Sequence, residues 1–295
     1  MSVETGFLST ITEQEKIVMF EIKAFLEEEF GIKDSVAWND WNVLRFCRAR
    51  KFDSKLVKEM IRKFMHWFKE GGFDKVGEAN LDEFINLRSL TMNGYYGTDK
   101  MGRPIYIDKV SGLKESEVFK QYSDARLTLY YVQSYERLVH IILPECSRLA
   151  GRRVEQTFTI MDLDGVNIFK LFTGKIKAFV QLASEIGQNY YPEILGGMFI
   201  INSGILFSGI WVLVKPWLDK KTQNKITIIS GSGKKELAKV VDLDKLPVCV
   251  GGTCALDLRT DPGPWSAELT NSYKNKTVYH SDKGIYQQYF PNIDK

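Results

Sequence analysis

The sequence is short of the residues that build metal sites and disulfide frameworks. Among 295 residues there are four cysteines and three histidines. Cys47, Cys146, Cys249 and Cys254 form no CxxC pair and the histidines are scattered, which excludes zinc-site spacing. The simplest reading is a set of free thiols in a reducing cytosol. A strong excess of charge of one sign is missing as well. Forty Lys and Arg face 37 Asp and Glu, a net of +3, which argues against a dedicated nucleic-acid binder with its strongly basic face. Residues 1–5 (MSVET) offer neither a basic n-region nor an apolar h-region, so no signal peptide is read. A membrane span is absent by a narrow margin. Residues 198–214 (MFIINSGILFSGIWVLV) are 17 long and interrupted by Asn202, Ser203, Gly204, Ser208 and Gly209, short of the ~20 that a spanning helix needs. They read instead as a buried strand, Met198–Ile201, followed by a very apolar helix. Repeats and low-complexity segments are also lacking. What the chain does have is a globular composition, 44% hydrophobic, with 18 Phe, 13 Tyr and 6 Trp that a core or a cavity must absorb.

The first ~75 residues read as helical. Thr12 with Glu15 is a capping-box pattern, and Val18, Ile22, Phe25 and Glu29 track one face up to Gly31, a C-cap glycine. A second helix follows Asn39-Asp40. A third starts at Asp53, places Val57, Met60, Ile61, Phe64, Trp67 and Phe68 at helical spacing, and stops at Gly71-Gly72. Near residue 90 the pattern changes. Strands at 95–100 and 104–110 flank a turn, and a long helix at about 123–150 follows. Strands (155–162, 198–202, 225–230) then alternate with helices (169–186, 205–218, 234–241). Such alternation predicts an α/β domain with a mostly parallel sheet.

Enzyme motifs fail one by one. Gly231-Ser232-Gly233-Lys234-Lys235 after a strand has the outline of a phosphate loop. However, Ile228 stands where a Walker A needs glycine, Lys235 where it needs Ser or Thr, and Glu236 where a dinucleotide fingerprint needs its third glycine. No G-x-S-x-G elbow occurs. His66 reads as a core-edge residue and His140 as structural. Asp162 and Asp164 form an Asp-x-Asp-Gly pattern that could bind metal but that turn chemistry explains at least as well. An enzyme reading rests on fold class alone, and the chain is read as a non-enzyme with no cofactor and no metal.

Two features point elsewhere. In residues 154–161 (VEQTFTIM) the period-two alternation puts Val154, Phe158 and Ile160 on one face and Thr157 with Thr159 on the other. The threonines are either ordinary β-branched strand formers or a polar patch inside a cavity, suited to a phosphate or ester. The helix at 205–218 is apolar nearly all round, which predicts burial on every side or a cover over an apolar cavity.

A series of motifs runs in register along the chain. LRFCRARKFD (44–53), DKMGRPIY (99–106), IMDLDG (160–165), QNYYPEILG (188–196), FIIN (199–202) and KPWLD (215–219), with Thr222–Ile226 and Leu246–Gly252, resemble the CRAL-TRIO lipid-binding family. The subgroup most resembled is the yeast secretory-pathway phosphatidylinositol/phosphatidylcholine transfer proteins. The resemblance covers roughly residues 12–252.

The resemblance implies an N-terminal helical subdomain (1–75), a lipid-binding lobe (88–252) and a C-terminal tail (253–295) packing on the lobe. In the lobe a mostly parallel sheet would floor an apolar pocket, covered by a gate helix bearing Ile205, Phe207, Ile210, Trp211 and Val214. One phospholipid would be the ligand, and no cofactor is implied. Two acyl chains carry on the order of 20 kcal/mol of apolar transfer, at ~0.8 kcal/mol per methylene. The family's inositol-phosphate site falls on Arg50, Lys51, Glu193, Thr222 and Lys225, and its choline site on Tyr95, Tyr106, Tyr135, Thr157 and Thr159. Lysine and arginine suit phosphate, and tyrosine faces suit a quaternary ammonium.

The implied function is exchange of phosphatidylinositol and phosphatidylcholine between membranes, in support of phosphoinositide metabolism and vesicle traffic. The alternative is a lipid sensor that presents its ligand to a lipid kinase or other partner. The implied setting is a cytoplasmic monomer, peripheral to Golgi or endosomal membranes. Two departures from the family pattern stand out. Ser203-Gly204 occupies the place of a proline after the strand asparagine, and Lys220-Lys221 follows Asp219, adding charge that suits anionic lipid at ~1 kcal/mol per residue.

Overall fold

The computed structural model describes residues 5–33, 37–73, 81–167, 174–205, 207–258 and 263. Helices α1 (Glu13–Phe30), α2 (Asp40–Ala49) and α3 (Ser54–Glu70) form where the sequence caps them. The Thr12 side chain accepts from the Glu15 backbone N–H, and Glu15 Oε2 accepts from Thr12 N at 2.8 Å. The Asn39 and Asp53 side chains accept from Asn42 N and Leu56 N. Each cap satisfies a backbone donor that the helix leaves open. The three helices bury Ile22, Leu26, Leu44, Phe46, Ile61, Phe64 and Phe68 in one core, which continues into Val139, Ile142, Leu143 and Tyr191 of the lobe. His66 is exposed, not at the core edge. It lies between the buried Met65 and the half-buried Trp67, on the solvent side of α3.

Helix α4 (Leu81–Leu90) leads into a five-stranded sheet of sequential order. Its strands are β1 (Asn93–Thr98), β2 (Pro104–Lys109), β3 (Thr157–Asp162), β4 (Leu195–Ile201) and β5 (Ile226–Ile228). The β1–β2 hairpin is antiparallel and every later pairing is parallel, as the alternation of elements predicts. Asp99 shapes the hairpin turn. Its carboxylate accepts from Met101 N, Arg103 N and Arg103 Nε at 2.9, 2.8 and 2.6 Å.

After α5 (Glu115–Gln121), the expected long helix is built as α6 (Asp124–Arg137), a π turn at Leu138–Ile142, and α7 (Leu143–Ala150). The interruption has a local cause. Pro144 sits in the first turn of α7, where its ring would clash with the His140 carbonyl four residues earlier. The wider π turn relieves that clash. Helix α8 (Gly174–Asn189) follows; the expected start of this helix at 169 lies outside the described residues.

Across the sheet the two faces differ. Ile105, Ile107, Phe158, Ile160 and Ile201 pack with Leu237 and Val241, at α11 (Lys234–Val240), and with Leu246 and Val250 beyond it. Val154 is not on that face, contrary to the simple alternation. The strand begins only at Thr157, and Val154 packs into the helical core. On the opposite face, α6 lies over the β1–β2 end. Over the β3–β5 end lies α9 (Phe207–Val214), continued by a 3₁₀ turn at Lys215–Trp217.

The apolar helix is therefore shorter than expected, and it is not buried all round. Phe207 and Ile210 are buried, whereas Val212 and Leu213 are 68% and 61% exposed. Ile205 lies outside the helix and is 89% exposed. Of the C-terminal tail, residues 253–258 and 263 are described, with Leu258 buried against the sheet's outer face. Trp265 and the aromatics after it lie outside the described residues.

Candidate functional site

Register places one row of side chains straight across the covered face of the sheet. Tyr95 pairs with Tyr106, Tyr106 with Thr159, Thr159 with Met198, and Met198 with Ile226. Strand alternation then puts Thr157, Asp108, Met161 and Ile200 on the same face. The face thus grades from tyrosines and threonines at β1–β3 to methionine and isoleucine at β4–β5. Thr157 is buried and Thr159 half-buried, and neither hydroxyl makes a hydrogen bond among the described residues.

Above the polar end stand Tyr130, Tyr131 and Tyr135 of α6. Tyr95 and Tyr106 meet edge to face at 5.1 Å between centroids, and Tyr131 and Tyr135 at 5.7 Å. Tyr135 also stacks on Tyr191 at 4.5 Å with the rings 6° from parallel. The helix behind is close: a Cβ at Gly187 would lie 2.9 Å from the Tyr135 hydroxyl and would have to push it aside. Burial drives the Tyr106 and Tyr131 hydroxyls well above their ordinary pKa and Tyr135 to about 12. All three nevertheless keep some accessible surface. These side chains are crowded by protein yet still partly accessible, and we read the space they share between the sheet and α6 as an interior hollow. The structure thus brings Tyr95, Tyr106, Tyr135, Thr157 and Thr159 to one face of the sheet and the helix above it.

A second cluster forms at the ends of β4 and β5. The Glu193 carboxylate lies 2.8 Å from the Lys221 ammonium and 3.7 Å from that of Lys225. Lys225 Nζ also donates to the Leu195 carbonyl at 2.7 Å. Thr222 lies in the short helix α10 (Lys220–Asn224) and donates its hydroxyl to Asp219. Glu193, Thr222 and Lys225 are thus brought together. Arg50 and Lys51 sit just past the end of α2, and Arg50 donates to the carbonyl of Ala49. Glu193 forms no salt bridge with Arg50 or Lys51 among the described residues and takes Lys221 and Lys225 instead. Backbone strain marks the same places. Lys51 and Glu193 hold φ of 52° and 63°, a left-handed region that non-glycine residues seldom enter.

Helix α9 covers the apolar end. Phe207, Ile210, Trp211 and Val214 recur at helical spacing and pack on Met161, Met198, Ile200 and Ile226. The C-terminal end of this cover is tied to α8. Gln188 Nε2 donates to the Trp217 carbonyl at 2.7 Å, and Gln188 Oε1 accepts from Asp219 N at 2.9 Å.

Comparison with known proteins gives this arrangement its context. The CRAL/TRIO domain matches residues 88–252. The chain belongs to the CRAL-TRIO family. It is 37% identical over 245 residues to the SEC14 cytosolic factor of Candida glabrata, spanning 81% of this chain and 80% of that one. To the SEC14 cytosolic factor of Kluyveromyces lactis it is 36% identical over 257 residues, 84% of each chain. The phosphatidylinositol/phosphatidylcholine transfer protein SFH7 of Arabidopsis thaliana is 34% identical over 76% of this chain and 42% of its own length. The crystal structure of Sfh5 superposes with a TM-score of 0.62 at 15% identity, over 94% of this chain and all of that one, a likeness of fold.

Several residues of the CRAL-TRIO motifs prove to be joints rather than ligand groups. Arg45 donates to Asn42 Oδ1 at 3.0 and 2.7 Å and to the Pro192 carbonyl at 3.3 Å, locking α2 to the strained Glu193 loop. Arg48 pairs with the buried Glu155 at 3.1 Å and donates to the Gly6 carbonyl. Asp162 lies 2.7 Å from Lys109 Nζ and from Asn202 Nδ2, and its oxygens also accept from Asp164 N. Its carboxylate holds strand ends and closes the turn on Asp164 N, which is the bonding that turn chemistry gives Asp-x-Asp-Gly. His140 is structural, buried 3.4 Å from Glu136, which in turn accepts from the Tyr191 hydroxyl at 2.6 Å. Asp108 and Tyr131 lie on this side of the sheet but escaped the sequence reading, whereas Tyr130 packs toward Leu87, Val118 and Leu127. The signal available for Asp108 was its place two residues after Tyr106 on one strand. No helix of the described residues is long and apolar enough to cross a membrane.

Proposed function

We propose that this CRAL-TRIO protein holds one phospholipid in the hollow between the sheet and its covering helices and exchanges it between membranes, with phosphatidylinositol and phosphatidylcholine as its ligands. The observation that carries the reading is the graded sheet face. Tyrosines and unbonded threonine hydroxyls at one end suit a phosphate and its quaternary ammonium, and the methionine and isoleucine end under α9 suits acyl chains. Glu193, Lys225 and Thr222, together with Arg50 and Lys51 from the end of α2, supply cations for an inositol phosphate and an acceptor for its hydroxyls. No covalent step is required.

α9 is the gate. Its inner face is apolar against the sheet, and its outer face offers Val212 and Leu213 to the surroundings. Such an exposed apolar patch marks an interaction surface, and a bilayer interior meets both faces equally well. The names of the relatives, phosphatidylinositol/phosphatidylcholine transfer protein and cytosolic factor, support both the ligands and a place of work at the cytosolic surface of membranes. On this reading the protein supplies lipid to phosphoinositide metabolism and vesicle traffic. The test is transfer of labelled phosphatidylinositol and phosphatidylcholine between vesicle populations. Movement of both lipids in proportion to protein supports the reading; a rate equal to the protein-free control overturns it.

A further inference from the structure

Asp108 is a half-buried carboxylate on the covered face of the sheet. It lies on β2, two residues beyond Tyr106, and Ile105 and Ile107 of the same strand are buried on the sheet's opposite face. Alternation therefore turns Asp108 toward the hollow. Its register partners are Asn93 on β1 and Met161 on β3, and Met161 pairs in turn with Ile200 on β4. None of these three brings a charge. From above, α6 presents Tyr131 close enough to interact electrostatically with Asp108, with Tyr130 and Tyr135 beside it, and β1 adds Tyr95. The cation next in sequence, Lys109, is occupied on Asp162 at 2.7 Å. No ion pair or hydrogen bond to the Asp108 carboxylate forms among the described residues.

An unpaired charge in such surroundings is costly unless a ligand supplies the partner. The ring of tyrosine faces narrows the choice of partner to a cation. Thr159 stands in the row of Tyr106, and Asp108 is two residues further along β2, about 6.6 Å at the usual strand rise. This is the scale of a phosphate and an ammonium joined by a short linker.

We propose that Asp108 is the counter-charge for the cationic end of a zwitterionic phospholipid headgroup, seated among Tyr95, Tyr106, Tyr131 and Tyr135 with its phosphate on Thr157 and Thr159. The inference rests on the phospholipid-binding reading above and sharpens it. It makes the deep site selective for headgroups that carry a positive charge, and it leaves the Glu193 cluster to headgroups that do not. Burial alone raises the Asp108 pKa from 3.8 to about 6, so the carboxyl stays largely ionised at neutral pH and loses its charge in mildly acidic solution.

The experiment measures pickup of labelled lipid from vesicles of phosphatidylcholine, phosphatidylethanolamine or phosphatidylinositol by the full chain. Asp108→Asn removes the charge at nearly constant size. The expected result is at least a tenfold loss of phosphatidylcholine pickup with phosphatidylinositol pickup retained, which also shows that the variant is folded. Asp108→Glu should restore most of the lost binding. Phosphatidylethanolamine separates the two sources of charge, since dependence on Asp108 for both amine lipids marks the ammonium in general and for phosphatidylcholine alone the quaternary ammonium. The wild-type protein should lose phosphatidylcholine pickup between pH 7 and pH 5, and the Asn variant should show a flat profile. Full phosphatidylcholine pickup by Asp108→Asn, or equal loss of both lipids, overturns the inference while leaving lipid exchange standing. A wild-type chain that takes up neither lipid overturns both.

Discussion

The Lys221 ammonium lies 2.8 Å from the Glu193 carboxylate, closer than Lys225 at 3.7 Å. Lys221 is one of the two lysines that depart from the family pattern, and it reaches Glu193 while 40% of its side chain stays exposed. In the protein as it stands, Glu193 is neutralised by its own neighbours, on a loop whose backbone is held in a left-handed conformation (φ 63°) by contacts such as Arg45 to Pro192. A ligand with both phosphate and hydroxyl groups can take over these partners without leaving a charge unpaired.

On the proposed function, that exchange of partners would make the Glu193 cluster specific for inositol lipid. Lys225→Ala and Glu193→Lys should each lower phosphatidylinositol transfer about tenfold or more, since a charge-assisted hydrogen bond is worth ~1.5–3 kcal/mol and tenfold is about 1.4 kcal/mol. Phosphatidylcholine transfer should be unchanged in both. Parallel loss of the two lipids in vesicle assays would show that the clusters are not separate sites.

The sheet face predicts the converse. Thr157→Val with Thr159→Val keeps shape and removes two hydroxyls that make no hydrogen bond among the described residues. Phosphatidylcholine binding should fall about tenfold, with phosphatidylinositol binding intact and thermal stability unchanged or raised, because nothing in the protein loses a partner. Unaltered phosphatidylcholine binding would remove the threonines from the site.

On the outer face of α9, Val212→Asp with Leu213→Asp should slow transfer at least tenfold. Both residues are more than 60% exposed, and exposed substitutions seldom change stability by more than about 0.5 kcal/mol. The melting temperature should therefore hold and pre-bound lipid should remain in place. Unchanged transfer would show that membranes do not touch this face.

Asp108 carries a pH signature of its own. With a folded pKa of about 6 against 3.8 for the free side chain, the folded protein binds the proton more tightly than the unfolded chain between those values. The stability penalty is absent below about pH 4, grows as pH rises to about 6, and is then constant. Asp108→Asn should therefore stabilise lipid-free protein by roughly 2–3 kcal/mol above pH 6, at about 1.4 kcal/mol per pKa unit, and by little at pH 4. Denaturation of both proteins across this range checks the sign, and a gain independent of pH would contradict the burial of a charge.

The legible parts of the fold were those with local causes. Thr12, Asn39, Asp53 and Ser123 cap helices through hydrogen bonds to residues three positions on, and such bonds depend on nothing distant. The joints were not legible. Arg45 reaches Pro192 across 147 positions, and Arg48 reaches Glu155 across the same boundary, so a motif that looked like ligand chemistry contains the pins between helices and sheet. Alternation identified the face carrying Thr159 but not what stands above it. Tyr131 and Asp108 meet only because α6 crosses β2. The apolar helix misled for the same reason. Its composition says that water is unfavourable on every side, but not that one side is left exposed, as Val212 and Leu213 are.

The central claim is that one phospholipid occupies the hollow between the sheet, α6 and α9. Native mass spectrometry of the purified full-length protein, with lipid extraction from the same sample, tests it directly. The account predicts a mass increment equal to one phosphatidylinositol or phosphatidylcholine per chain. A protein that is bare after purification and stays bare after incubation with vesicles of both lipids would contradict it.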